Sequence, residues 1–383
     1  MNLITQASEL QSFVKAVAGA PYLAVDTEFL RETTYWPKLC LVQAAAPGAE
    51  AVIDPLAENL DLSPFLALLL DPAMVKVFHA GRQDLEIFFK LLGGVMPAPV
   101  FDTQIAAMAL GYGDSIAYDA LVQAALRRRV DKTSRFTDWS RRPLSEQQLA
   151  YALADATHLR DLYPKLRGEL ERLGRLEWVA DEMAALVDPA VYDLEPENAW
   201  RRLKLRKLNQ EYLAVLRVAA AWRERTAQSR NVPRGRVLKD DALYELAEQK
   251  PRRAEQFDRL RAVPKGFGGS RGGQELAGLI DAALQDPAAH APEVERSAPG
   301  SGASGPTIEL LKVLLRFEAD QNDLAPRLLA SGADLEAIAA SDDAEVPALR
   351  GWRREVFGER ALALKHGRIA LTLKRGKVEI VEV

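Results

Sequence analysis

The sequence predicts an α/β domain built on a mixed sheet, followed by all-helical units, and three observations carry that expectation. Between residues 20 and 110 short apolar runs alternate with helical patterns, the signature of a sheet flanked by helices. From about residue 115 to 285 only helical periodicity remains, broken by loops such as Asn231-Val-Pro-Arg-Gly235 and Lys265-Gly-Phe-Gly-Gly269. Residues 286–306, DPAAHAPEVERSAPGSGASGP, hold almost no large apolar side chain, so they cannot support a core and read as a flexible linker. The chain thus divides into a domain over 1–200, a helical domain over 201–285, a linker over 286–306 and a last unit over 307–383.

The elements follow in order. Leu10, Phe13, Val14 and Val17 repeat at i, i+3, i+4, i+7 and predict a surface helix. Glu9 stands where a secretory signal would be apolar, and the start is not basic, so no signal peptide is read there. Tyr22 to Phe29, Lys38 to Ala45 and Ala51 to Asp54 predict a three-stranded meander. Val75 to His79 and Pro99 to Asp102 predict later strands, each leading into a helix. Ser145 is the expected N-cap of a helix running through Leu162. Helical spacing resumes from Ile308 to Phe357, and alternation around Arg375-Gly376, within Arg368 to Val381, predicts a β-hairpin.

With 383 residues, 48% of them hydrophobic, the chain can bury a large core and has the length of two or three domains. A net charge of -4 gives no global sign of nucleic acid or membrane, although charge segregated along the chain can still make a local patch. The densest apolar stretch, Pro64 to Leu70, falls well short of the roughly 20 residues a membrane span needs. One cysteine, Cys40, excludes an intrachain disulfide and a cysteine-rich zinc site, and fits a reducing cytoplasm. No membrane partner is expected, and a monomer is.

The stretch YLAVDTEFLRE puts two acids, Asp26 and Glu28, where an apolar strand ends. Alternation sends both to one face of the sheet, where they repel unless a proton or cation compensates; the bland alternative is a strand that simply surfaces there. Asp84 shares a helical stripe with Ile87, Phe88 and Leu91, so an acid borders the side that packs on the sheet. It reads equally as a first-turn acid favoured by the helix dipole. Glu86 is out of phase with that stripe and is expected to be exposed, and Glu32 to be solvated. Tyr151, Asp155, Leu159 and Leu162 form another stripe, placing a phenol and a carboxylate one turn apart among core residues. Burying Asp155 alone would cost several kcal/mol, so a cation is expected beside it, either a metal or an arginine such as Arg160 or Arg167. Four oxygen-donor acids without a Cys or His cluster suit Mg²⁺ or Mn²⁺ better than Zn²⁺. Two such ions about 4 Å apart can activate a water and stabilise the leaving oxygen of a phosphodiester.

These residues resemble the DEDD exonucleases of the ribonuclease H-like fold, in the subgroup with Tyr before the last Asp. Over roughly residues 1 to 170 the three motifs occur in order as DTEF (Asp26 to Phe29), FHAGRQD (Phe78 to Asp84) and YALAD (Tyr151 to Asp155). The run DKTSRFTDWSRRPLSEQQLAYA (Asp131 to Ala152) looks like the ribonuclease D branch of that family. Lys207 to Leu284 resembles the helicase and RNase D C-terminal domain in Ala221-Trp222-Arg223, Asn231-Val-Pro233, Val237-Leu238, Asp240, Leu243, Leu246-Ala247 and Gly272-Gly273. The segment after Thr307 resembles a second, degenerate copy with a hairpin added. The glycines from Gly266 to Gly273 lack a preceding strand or a Walker lysine and read as a helix-to-helix turn.

The resemblance implies that Asp26, Glu28 and Asp155 bind one metal, while Asp26 bridges to a second that Asp84 holds directly or through water. Tyr151 would position the attacking water, a task that suits a phenol of ordinary pKa about 10. His79 would support the active-site turn, and His158 reads as structural. The implied reaction is 3′-to-5′ trimming of RNA, typically the 3′ extension of precursor tRNA, releasing nucleoside 5′-monophosphates. Alternatives are a DNA-directed exonuclease of the same superfamily and a catalytically silent RNA-binding protein, whose usual sign would be the loss of one acid.

Basic residues are segregated as an RNA substrate would require. Arg127, Arg128, Arg129, Lys132, Arg135, Arg141 and Arg142 crowd the segment before Tyr151, against Asp131 and Asp138. Lys132, Arg135, Trp139, Arg141 and Arg142 are the candidate RNA contacts. Phe136 and Trp139 either stack on a 3′-terminal base or anchor the loop in the core. A second basic run holds Arg201, Arg202, Lys204, Arg206 and Lys207, with further arginines at 217, 223, 225, 230, 234 and 236, which contact phosphate or pair with acids.

Overall fold

The N-terminal unit is a six-stranded sheet in the order β1-β4-β3-β2-β5-β6, seen in a computed structural model that describes residues 3–131, 133–134, 137–192, 195–294 and 305–383. β2 (Tyr22–Leu30), β3 (Lys38–Ala46) and β4 (Ala49–Ile53) form the expected antiparallel meander. β5 (Val75–Phe78) joins β2 in parallel, and β6 (Val100–Asp102) joins β5 in parallel. The sequence reading omits β1 (Leu3–Ile4), which pairs in parallel with β4 through Leu3↔Val52 and Ile4↔Ile53. Two residues are too few for a period-2 pattern to register.

Helices cover both faces of the sheet. α1 (Ala7–Val17), α2 (Ser63–Leu69) and α3 (Arg82–Leu91) pack Leu10, Phe65, Leu85 and Phe88 against Leu23, Val25 and Val42. α4 (Thr103–Ala109), α5 (Tyr118–Leu126) and α6 (Glu146–Arg172) pack Ala106, Val122, Leu159 and Leu162 against Ala24, Val77 and Phe101 on the other side. With both faces covered, the strands are near-continuous apolar runs, as buried sheets require. The end of β2 breaks that pattern with Asp26, Thr27 and Glu28, and that is where the paired acids lie. α7 (Ala180–Leu186) closes this unit.

The helical domain is built on α8 (Gln210–Arg230), with α9 (Arg234–Val237), α10 (Asp240–Gln249) and α11 (Arg271–Gln285) around it. Its core joins Leu213, Leu216, Trp222, Leu243, Phe257 and Ile280. Asn209 caps α8 by accepting from the Tyr212 N–H at 2.9 Å, and Ser270 caps α11. A Cβ on Gly273 would stand 2.1 Å from the Phe267 carbonyl oxygen, so this glycine permits a close helix-to-turn contact.

The expected linker contains a helical turn at Pro287–His290, and the next helix, Gly305–Gln321, begins inside it; residues 295–304 lie outside the described residues. The last unit packs on the first. The Ala325 N–H donates to the Met108 carbonyl at 2.8 Å, and Trp352 stacks on Trp178 with ring centroids 4.4 Å apart. Arg353 reaches Asp181 at 3.2 Å and Glu182 at 2.8 Å. Its terminal hairpin pairs β7 (Ile369–Lys374) with β8 (Lys377–Glu382) around Arg375-Gly376, both at positive φ.

Candidate active site

Asp26 and Glu28 project from the end of β2 toward the α4 to α6 side, continuing the face begun by Ala24. β2 pairs regularly with β3 up to Glu28↔Leu41, and the register shifts between Glu28 and Phe29. That bulge interrupts the ladder at the second acid, and pairing resumes at Phe29↔Leu39 and Leu30↔Lys38.

Asp84 arrives from the opposite layer. β5 turns into α3 through Ala80, which has positive φ, and Gly81, where a Cβ would stand 2.4 Å from Phe78 Cβ. Asp102 holds this turn by accepting from the Ala80 N–H at 3.0 Å and the Gly81 N–H at 2.8 Å. Its carboxylate also caps α4 through the Gln104 N–H at 2.8 Å. Asp84, 8% exposed, accepts from the Thr27 hydroxyl, so β2 and α3 are joined behind Asp26. Glu86 differs from expectation: it is half-buried and takes a two-pronged ion pair from Arg31, at 2.8 and 3.0 Å.

α6 brings Tyr151 and Asp155. Ser145 caps it as expected, with Ser145 Oγ accepting from the Gln148 N–H at 3.2 Å and Gln148 Oε1 from the Ser145 N–H at 2.8 Å. The Tyr151 hydroxyl is hydrogen-bonded to the Asp155 carboxyl. Neither Arg160 nor Arg167 serves Asp155: Arg160 pairs with Glu50 and Asp161, and Arg167 with Glu171.

Asp26, Glu28, Tyr151 and Asp155 line one cavity of about 390 Å³, together with His79, Gln104, Tyr118, Asp119 and Asp131. Asp84 stands behind Thr27 and does not line it. Among the described residues no three His, Cys, Asp or Glu side chains are drawn together as a closed cation cage. The four carboxyls nevertheless share one electrostatic environment. Burial first, then Asp26, Asp155 and Asp84, push Glu28 up to about 9. Burial and Asp26 raise Asp155 to about 8, and the same two causes raise Asp84 well above the usual carboxylate range. Burial raises Asp26 as well. Buried, mutually repelling oxygen donors without an arginine among them fit a hard divalent cation.

Sequence reasoning missed the residues that fix the site. Thr27 and Asp102 are two, and Tyr118 is a third: its hydroxyl donates to the Asp155 carbonyl oxygen, and its ring lies 5.3 Å from the His79 ring. No spacing links Tyr118 to an acid motif, so only the fold could reveal it. His79 does support the turn, its ring nitrogens meeting Thr103 Oγ1 at 2.9 Å and the Ile116 carbonyl at 3.2 Å.

Two candidate RNA contacts are placed inward. Trp139, 2% exposed, packs against Tyr151 with ring centroids 6.1 Å apart, which leaves no face for a base. Arg142 spends all five guanidinium donors within the protein: two on Asp54 at 2.6 Å each, and three on the Trp139, Arg141 and Cys40 carbonyls at 2.8 Å. Arg141 is exposed and pairs with Asp138 at 3.1 Å; Lys132, Arg135 and Phe136 lie outside the described residues. Much of the second basic run is also paired: Arg202 and Arg234 with Glu224, Arg206 with Asp241, Lys207 with Glu248, Arg223 with Asp240, Arg225 with Glu197.

Known proteins of similar sequence and fold give the family. Residues 1–171 match the family described as 3′-5′ exonuclease, and residues 212–274 match the HRDC domain. A ribonuclease D of Nitrobacter hamburgensis is 51% identical over 382 residues, covering 100% of both chains. One from Acidiphilium cryptum is 48% identical, covering 100% of this chain and 97% of its own. The crystal structure of Escherichia coli RNase D, described as an exoribonuclease involved in structured RNA processing, has a TM-score of 0.81 at 30% identity and covers 96% of this chain and 99% of that one. A match that runs end to end, through the acid-bearing domain and the helical units behind it, places this chain in the ribonuclease D family of 3′-5′ exoribonucleases.

Proposed function

We propose that this chain trims the 3′ ends of precursor tRNA and other RNAs, with Asp26, Glu28, Asp84 and Asp155 holding two divalent ions, Mg²⁺ or Mn²⁺. The observation that carries the reading is the convergence of four carboxyls from β2, α3 and α6 on one site, each raised by burial or by its neighbours. When bound, the ions supply an acidified water and positive charge for the leaving oxygen. The chain's own residues do the rest. Tyr151 sits one helical turn before Asp155, with its hydroxyl at the cavity and its ring fixed by Trp139. It orients the attacking water, while Thr27 and Tyr118 hold Asp84 and the Asp155 turn in place. A cavity of about 390 Å³ is large enough for a terminal nucleotide.

Arg141 remains the described candidate for phosphate contact, with Lys132 and Arg135 beside it in sequence. The same reading makes the protein a cytoplasmic monomer; Cys40 is buried and free, which suits a reducing compartment. Among the described residues no helix is long and apolar enough to cross a membrane.

A 3′-tailed tRNA, compared with single-stranded DNA in Mg²⁺ or Mn²⁺, tests the substrate. Stepwise shortening of the tRNA tail with release of nucleoside 5′-monophosphates is expected. Faster loss of the DNA would favour the deoxyribonuclease alternative, and RNA binding without hydrolysis the silent one. Tyr151→Phe keeps the ring on Trp139 and loses the hydroxyl, so kcat should fall roughly 10²- to 10⁴-fold while KM stays nearly constant. Wild-type kcat in that variant would remove the role given to Tyr151.

A further inference from the structure

The segment that leaves the catalytic strand is pinned at both ends, and one of its anchors belongs to the other domain. Residues 31–37 join β2, which carries Asp26 and Glu28, to β3. Arg31 grips Glu86 on α3, two residues beyond Asp84. Lys90, one turn further along α3, lies 3.4 Å from the centre of the Trp36 ring. The segment therefore links two of the three elements that carry acids, continuing from β2 and gripping α3.

Its tip enters the helical domain. Tyr35, 5% exposed, donates its hydroxyl to Glu224 of α8, itself 1% exposed on its side chain. Arg234 closes on the same carboxylate from α9, with Nε at 2.5 Å and Nη2 at 2.7 Å, and Nη2 also reaches the Tyr35 hydroxyl at 2.9 Å. The Arg234 guanidinium lies over the Tyr35 ring at 4.7 Å, and Arg202 adds a contact to Glu224 at 3.3 Å. Beside them the Trp36 N–H donates to Asn231 Oδ1 at 3.0 Å, from the left-handed residue that ends α8.

A carboxylate this deeply buried is costly unless every lone pair is served. Here the service is divided between two domains. The helical fold supplies Arg234 and Arg202, and Tyr35 completes the set from the exonuclease side. Removing Tyr35 leaves Glu224 under-served; removing Glu224 frees the tip of the segment on which β2 and α3 both lean.

We infer that the helical domain positions the catalytic acids, through Tyr35, Glu224 and Arg234, in addition to any contact it makes with RNA. This deepens the reading of Asp26, Glu28 and Asp84 as the metal-holding site and rests on it. These are positioning residues: they touch neither the cavity nor its acids, and act by fixing the segment between β2 and α3. Displacements of the order of an ångström at such a site cost large factors in rate.

The test uses the full chain and a short single-stranded RNA in Mg²⁺, so that grip on a folded RNA does not enter. Tyr35→Phe and Glu224→Gln should each lower kcat roughly tenfold with KM within about twofold, and, with no RNA present, raise the Mg²⁺ concentration that gives half of the cation-induced rise in Tm. The double variant should be no worse than the poorer single one, because the residues act as a unit. Glu211→Gln, in an exposed pair with Lys250 on the same helix, should change nothing. Wild-type kcat and Mg²⁺ dependence in folded Tyr35→Phe would overturn the inference, as would a change confined to KM. Should Glu224→Gln fail to fold, Tyr35→Phe decides, since it keeps the ring and loses one hydroxyl. Activity of Asp26→Asn would instead sink the site itself, so the two failures are distinguishable.

Discussion

Asp26→Asn should lose at least about a thousandfold in hydrolysis, with RNA affinity changed by no more than about threefold. Asp26 is the carboxyl that the others feel: it raises Glu28, Asp84 and Asp155 alike. Asparagine keeps its shape and its place on β2 but removes one charged oxygen donor from the centre of the set. Metal-derived stabilisation of a phosphodiester transition state is worth several kcal/mol, and each 1.36 kcal/mol is tenfold in rate. The same change relieves repulsion among the carboxyls when no metal is added, so the variant's Tm should then equal or exceed that of the parent. Single-turnover hydrolysis, a filter-binding titration and a melting curve check the three parts. Full activity would remove Asp26 from the site, and a large fall in Tm would make the loss a folding defect.

The second large effect is the response of stability to cation. Glu28 keeps its proton in the folded chain up to about 9 and Asp155 up to about 8, whereas both would ionise near about 4 when unfolded. Between those values the folded chain binds more protons than the unfolded one, so without metal its stability is greatest at low pH and falls as pH rises through that window. Mg²⁺ or Mn²⁺ displaces these protons and removes the penalty. At a hundred times its Kd a cation adds about 2.7 kcal/mol, readable as a rise in Tm that is larger at pH 8 than at pH 6. Chelation should abolish both the rise and the activity, and Asp26→Asn should lose most of the rise. A shift independent of pH, or equal in the variant, would place the cation elsewhere on the protein.

The acids were legible because their spacing carries geometry. Asp26 and Glu28 lie two apart on a strand, so one face follows; Tyr151 and Asp155 lie four apart on a helix, so one stripe follows. Ser145 announced its helix because a cap is a local hydrogen bond between near neighbours. The basic segment before Tyr151 was misleading at Arg142, and left two readings open at Trp139, for the opposite reason. Arg142 and Trp139 have the composition of an RNA contact, but Asp54 and Tyr151 claim them from distant or orthogonal directions that spacing does not encode. Glu86 was expected in solvent and instead meets Arg31, a partner 55 residues away.

What the sequence determined by itself is the alternation of strand and helix, the four candidate acids with their tyrosine, and the helical character of the units beyond the sheet together with their terminal hairpin. All of these follow from periodicity within about ten residues. What only the tertiary structure decided is how the acids are held: Thr27 behind Asp84, Asp102 under the turn, Tyr118 on the Asp155 carbonyl, and Tyr35 in the grip of Glu224 and Arg234. The Tyr35–Glu224 bond spans 189 residues. Contacts of that separation leave no local pattern, because burial and pairing are settled only when the elements pack.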